Sequence, residues 1–212
     1  MTNSSPVLVL ASASPARHRL LAEAGIDVEV IVSGVDESTV PDTDPVSVSG
    51  ELARLKAAAV TDRLRAEGRA DGPGRTLVLG CDSVLDFDGA ILGKPRDAAE
   101  ATERWRRMRG RSGVLHTGHS LVDLASGRVV TEVAGTTVFF ADVTDAEIDA
   151  YVATGEPLHV AGSFTIDGLA SPFIERIDGD HGTVVGLSMP LLRKMLAELG
   201  TPVTALWRQA GR

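Results

Sequence analysis

The run Val7-Leu8-Val9-Leu10-Ala11, followed at once by Ser12-Ala13-Ser14-Pro15-Ala16-Arg17, constrains the fold more than any other segment of this chain. Five apolar residues read as a buried strand, and the small residues after them as a turn into a helix. Ser14 is placed as N-cap and Pro15 as the first helical residue, where a missing N–H costs nothing. The helix puts Leu20, Leu21 and Ala24 on one face and stops at Gly25, before the strand-like Val28 to Val32. Two strands joined by a helix in so short a span predict an α/β fold. The same turn brings free N–H groups and the positive helix end to a strand's carboxyl end, where a phosphate binds readily. A well-capped helix without a ligand is the simpler account of these residues taken alone, so other segments have to decide.

A second helix is expected from Asp44 as cap and Pro45, through Leu52, Leu55, Ala59 and Leu64 toward Gly68. Lys56 follows Leu52 by one turn, at the edge of the apolar stripe and within reach of a cleft. Glu67 to Arg75 reads as a surface loop. Thr76 to Leu85 reads as a buried strand, and Asp88-Gly89 turns it back into Ala90-Ile91-Leu92. Capping boxes are expected at Asp97 to Glu100, for a helix through Trp105 and Met108, and at Thr144 to Glu147, for a helix reaching Tyr151. Val114 to Leu124 and Val129 to Val143 read as strands, and Pro190 to Leu199 as the last helix. Strand–helix alternation early and hairpins in the middle predict a mixed β-sheet with flanking helices, in one domain over residues 1–212.

With 43% hydrophobic and 24% charged residues among 212, the chain suits a globular core. A formal net charge of -8 argues against general nucleic-acid or membrane-surface binding, which normally uses a basic face. The single cysteine, Cys81, allows no intramolecular disulfide and fits a reducing compartment. The first apolar run follows no positive charge and is too short for a signal or membrane segment, so a cytoplasmic location is expected.

Asp82 within an apolar strand is costly to bury unless it is paired or used, so it is either a hydrogen-bonded core aspartate or a functional one. Lys94 stands just past a strand end between Gly93 and Pro95. Gly89 to Lys94 is one residue short of a P-loop and lacks its Ser or Thr, and no G-x-G-x-x-G follows a strand. Common zinc motifs are absent. The basic run Arg104 to Arg111 carries Trp105 and Met108 three residues apart, which reads as a helix with a buried stripe and a solvated arginine face. Gly162 to Gly168 is a small-residue loop ending in Asp167-Gly168, either a turn or a loop that reads a base.

Taken in order, Leu10-Ala-Ser-Ala-Ser-Pro-Ala-Arg17, Val35-Asp-Glu37, Leu52-Ala-x-x-Lys56-Ala, Asp82-Ser-Val, Leu92-Gly-Lys-Pro95, His116-Thr-Gly118, Gly155-Glu-Pro-Leu, Ala161-Gly-Ser-Phe and Val185-Gly-Leu resemble the Maf family over nearly the whole chain. Its members, once called septum-formation inhibitors, are nucleoside triphosphate pyrophosphatases. The resemblance implies an elongated mixed α/β fold with two lobes around a central cleft, a homodimer, and a divalent metal cofactor, Mg²⁺ or Mn²⁺. It implies that Asp82 is the proton acceptor, that Ser14, Arg17, Lys56 and Lys94 bind phosphate, and that Glu37 helps place the metal. Asp82 alternatively only holds the metal. The chemistry agrees, since attack between the α and β phosphates requires a polyanion to be neutralised and a water to be oriented.

Departures bear on substrate. Ala16 stands where many members carry the first arginine of S-P-R-R, and Asp82-Ser83-Val84 replaces the D-T-V of the thymidine and uridine triphosphate branch. Asp167 stands where that branch has glutamine; a carboxylate accepts hydrogen bonds and suits the donor edge of a guanine-like base. Leu158 to Phe164 resembles the branch acting on 7-methylguanosine triphosphate, and broad specificity fits as well. A non-catalytic nucleotide- or nucleic-acid-binding regulator of division and a phosphosugar or nucleotidyl transferase are the competing classes.

Overall fold

A computed structural model of the chain describes residues 5–41, 43–72 and 74–208. Strand β1 (Val7–Leu10) lies between β2 (Val28–Val30) and β3 (Thr76–Phe87), parallel to both. β3 pairs antiparallel with β4 (Ala90–Leu92) and with β5 (Ser112–Asp123); β6 (Val129–Phe140) and β7 (Ile174–Asp178) follow, also antiparallel. The result is a seven-stranded mixed sheet flanked by helices, the expected α/β architecture.

Alternation along the strands divides the core. Leu77, Leu79, Cys81 and Leu121 point to the side covered by α1 (Pro15–Glu23) and α6 (Met189–Glu198). Val78 and Val122 point to the opposite side, covered by α2 (Pro45–Ala66). Further along β3, Leu85 and Phe87 join a separate cluster with α3 (Ala98–Met108) and α4 (Asp145–Ala153), centred on Trp105 and its edge-on contacts with Phe140, Tyr151 and Phe173. Asp82 to Val84 occupy the stretch of β3 between these clusters, and a cleft opens there.

The local signals behave as their chemistry requires. Ser14, Asp44 and Thr144 cap their helices, and Asp88-Gly89 turns with φ of 54° and 75°. The Thr144–Glu147 capping box is complete. At Asp97 only half of one forms: its carboxylate accepts from Glu100 N, but Glu100 turns back to Arg96 N and to the Arg96 and Arg104 side chains. β2 ends at Val30 rather than Val32, because the chain swings through Gly34 (φ 70°) to form a cleft wall. β3 runs on to Phe87, and β6 stops at Phe140. The buried stripe of α2 runs through Leu52, Ala53, Lys56, Ala57 and Val60, so Lys56 lies within it, while Leu55 and Ala59 are half-buried. β7 and the short helix α5 (His181–Val185) had no signal strong enough to announce them. Among the described residues no helix is long and apolar enough to cross a membrane.

Candidate active site

Two glycines explain how a buried lysine reaches a buried aspartate. Gly80 and Gly118 lie on the sheet face that carries Asp82, with Gly118 directly opposite it in register. A Cβ on Gly80 would stand 2.7 Å from Ala57 N, and one on Gly118 would stand 2.7 Å from Gly50 N. Only glycine lets the α2 backbone settle this closely on β3 and β5. The approach delivers Lys56 Nζ to within 2.5 Å of Asp82 Oδ1 and 2.6 Å of Glu37 Oε1. Glu37 opens a short 3₁₀ turn, Glu37–Thr39, whose cap Asp36 accepts from Ser38 N.

The two carboxylates that share this ammonium are not equivalent. Asp82 and Lys56 are 7% and 8% exposed, and burial pushes the Asp82 carboxyl above its usual value, outweighing the charges of Lys56 and Arg17. Glu37 is half-exposed; burial raises it less than the hydrogen bond from Lys56 and the charges of Lys56, Lys94 and Arg17 lower it. Glu37 therefore stays the anion, while Asp82 has the greater affinity for a proton. Neighbouring carboxylates pushed in opposite directions mark a site suited to acid–base work.

Ser14 sits where β1 meets α1 and accepts from Arg17 N, while Ser12 Oγ accepts from Ser14 N and from Arg17 Nη1. Arg17 lines the cleft and is also tied into the frame. Its guanidinium is buried and donates to Gly186 O at 2.7 Å, Cys81 O at 2.9 Å, and the hydroxyls of Ser12 and Ser83 at 3.1 Å. Four N–H groups are thus engaged by the protein, and what Arg17 brings to the cleft is mainly charge and rigidity. Ser83 in turn donates to Thr117 Oγ1, whose own proton goes to Thr183 O, so a chain of hydrogen bonds ties α1, β3, β5 and α5 together. Lys94 is exposed, has no ion-pair partner among the described residues, and lies near enough to Glu37 to lower its pKa.

These groups and Asp167 line one cleft of about 680 Å³. Asp167 stands at its rim and is held by an ion pair with Arg19. Glu156 fixes the Asp167 loop by accepting from Tyr151 Oη, Thr165 Oγ1 and Leu169 N. The six residues singled out as ligands or catalyst, Ser14, Arg17, Glu37, Lys56, Asp82 and Lys94, therefore meet in space with Asp167. The contributions of Ser12, Ser83, Glu156 and Arg104 were not anticipated. Ser12, Ser83 and Glu156 stood in family-like motifs without a role of their own. Arg104 was expected on a solvated face, but it is buried beside Trp105, which its spacing in the stripe Ala101, Arg104, Trp105, Met108 would have signalled.

A mixed sheet with flanking helices brings a capped helix end, two lysines and a carboxylate pair into one cleft, the set of groups that polyphosphate chemistry requires. Residues 7–199 match the Maf family, described as Maf-like protein, and the chain belongs to that family. It is 63% identical over 208 residues to the nucleoside triphosphate pyrophosphatase of Salinispora tropica, covering 98% of this chain and 90% of that protein. It is 57% identical over 203 residues to the protein of the same name from Streptomyces coelicolor, covering 96% and 95%. A relative of that name from a Synechococcus species is 52% identical over 202 residues, covering 95% and 98%.

Proposed function

We propose that this protein is a nucleoside triphosphate pyrophosphatase, cleaving the α–β phosphoanhydride with water to give a nucleoside monophosphate and pyrophosphate. The observation that carries this reading is the Glu37–Lys56–Asp82 cluster in the cleft that the α1 N-terminus and Lys94 also line. The triphosphate lies between the helix end and the two lysines, whose charges neutralise it as the leaving pyrophosphate gains charge. Asp82 accepts the proton of the attacking water; its raised pKa makes it a better base than an ordinary surface aspartate. Arg17 holds α1 to β3, and Glu37 holds Lys56.

A divalent cation fits this site. Both carboxylates already hold a cation, the Lys56 ammonium, and the described residues offer no cluster of three His, Cys, Asp or Glu ligands. That donor set suits Mg²⁺ or Mn²⁺ arriving with the nucleotide, since such ions take one or two protein carboxylates and complete their shell with phosphate and water. Glu37 and Asp82 would hold it, and it would supply charge neutralisation and order a water. We assign Asp167 to the base edge: Arg19 holds Oδ2, leaving Oδ1 to accept from a guanine-like base.

The test is pyrophosphate release from a panel of nucleoside triphosphates with Mg²⁺, 7-methylguanosine, guanosine, thymidine and uridine triphosphates included. Wild-type turnover is expected to yield pyrophosphate, not orthophosphate, and Asp82→Asn to lose about 10²–10⁴-fold while keeping native circular dichroism. Undiminished turnover in Asp82→Asn refutes the role of the carboxylate. Nucleotide binding without turnover in the wild type favours a non-catalytic regulator of division. Equal rates for guanosine and thymidine triphosphates, unchanged in Asp167→Asn, remove the base assignment and leave broad specificity.

A further inference from the structure

Helix α3 buries an arginine where an apolar residue would complete its stripe. Arg104 is 8% exposed, one turn from Ala101 and Met108 and next to Trp105, all three fully buried. Guanidinium burial is unfavourable unless its donors are met, and here Nε has no hydrogen-bond partner among the described residues. The donors that are met define what the residue does. Nη2 donates to Glu100 at 2.7 Å, on the same helix. Nη1 donates to Gly93 O at 2.6 Å and lies 3.4 Å from Ser163 Oγ.

Both of these last acceptors belong to segments that line the cleft. Gly93 immediately precedes Lys94, and its carbonyl also accepts from Gly162 N at 3.2 Å. Ser163 follows Gly162, and its carbonyl accepts from the Trp105 indole at 2.8 Å. The two segments are therefore bonded to each other and jointly to two adjacent side chains of α3. The 162–163 backbone needs such support. Gly162 and Ser163 both adopt positive φ, 68° and 61°, and a Cβ on Gly162 would stand 2.9 Å from Leu85. A serine in this region persists only where its surroundings hold it.

We propose that Arg104 is a positioning residue for the polyphosphate site: through Gly93 it sets the backbone from which Lys94 reaches into the cleft, and through Ser163 it locks that backbone to the opposing loop. Arg104 itself touches no substrate. Lys94 is a long, exposed side chain, so its reach toward Glu37 and the phosphates depends on where its Cα is held. Pro95, buried and fixed in φ, leaves the Gly93 carbonyl as the point at which that position is controlled. This inference rests on the pyrophosphatase reading for its substrate, but not for its geometry.

The experiment is a double-mutant cycle between Arg104→Met and Lys94→Ala in the full chain, read in two ways. One is KM and kcat for the best nucleotide; the other is calorimetric binding of inorganic pyrophosphate, which requires no turnover. Arg104→Met is expected to raise KM and the pyrophosphate Kd about tenfold, with much less effect on kcat. In the Lys94→Ala background it is expected to add nothing, because the side chain it positions is gone. Effects that multiply, or unchanged constants in Arg104→Met, overturn the proposal, as does pyrophosphate binding by the wild type that does not depend on Lys94. If Arg104→Met does not fold, Arg104→Lys runs the same cycle, keeping charge and stem but losing the fork. Absence of turnover in the wild type counts against the pyrophosphatase reading alone, and the Arg104–Lys94 coupling is then decided by pyrophosphate binding.

Discussion

Adding one methyl group at Gly118 tests whether the catalytic cluster is placed by backbone contact. The Cβ of Gly118→Ala lands 2.7 Å from Gly50 N, and closer still to the Ser49 carbonyl, against helix backbone that no rotamer change can move. Carbon contacts settle at about 3.5–4.0 Å, so α2 has to lift by more than about 1 Å near its N-terminal third. Overpacking of this kind costs about 1–3 kcal/mol, against a total stability of about 5–15 kcal/mol for an ordinary domain, so the variant stays folded. Lys56 rides on the same helix and meets Asp82 at 2.5 Å, so a displacement of that size removes the contact. Misplacement by about 1 Å is worth up to about 10²-fold in rate. Urea denaturation and pyrophosphate release measured together are expected to show a modest fall in midpoint with a far larger fall in kcat/KM. Wild-type turnover with an unchanged midpoint refutes the close-approach argument, and a rate loss no larger than the unfolded fraction refutes its link to catalysis.

His119 gives a stability prediction with a definite sign. It is fully buried, its Nε2 accepts from Ser188 N, and burial, followed by the charge of Arg17, lowers its pKa from 6.5 to about 4. Between these values the unfolded chain takes up a proton that the folded chain refuses, so this contribution is complete above pH 6.5 and is lost as pH falls toward 4. The window corresponds to roughly 3 kcal/mol. Urea midpoints across it are expected to fall in the wild type and to flatten in His119→Asn; parallel curves would refute the assignment. Cys81, fully buried with its thiol pushed up to about 11, is expected to resist a disulfide reagent at pH 8 until urea is added. Rapid labelling of the native protein would contradict this burial.

Much of the molecule is legible before folding because its signals are local. Ser14 before Pro15, Asp44 before Pro45, Thr144 with Glu147, and Asp88 with Gly89 act through atoms a few residues away, and each takes the role its chemistry dictates. Asp82 also announces itself, since a carboxylate in an apolar strand demands a partner. The identity of that partner is not local: Lys56 is 26 residues away, and the contact exists because Gly80 and Gly118 admit α2 to the sheet.

The expectations that shifted did so for reasons of packing. Arg104 reads as one arginine among several in a basic run, yet helical phase turns it inward, where Gly93, 11 residues away, and Ser163, 59 residues away, supply acceptors. Arg17 also has a place in the frame that nothing local signals: the end of α5, which carried no strong signal, closes over it and takes its Nε through Gly186 O. By itself the sequence determined the class of fold, the caps and turns, and which side chains carry charge into an apolar setting, because backbone sterics and hydrogen bonding at short range decide these. Only the tertiary structure decided which charges meet, which arginines hold the frame and which carboxylate favours a proton. Burial and distance set those properties, and both come from elements packed together across long separations in the chain.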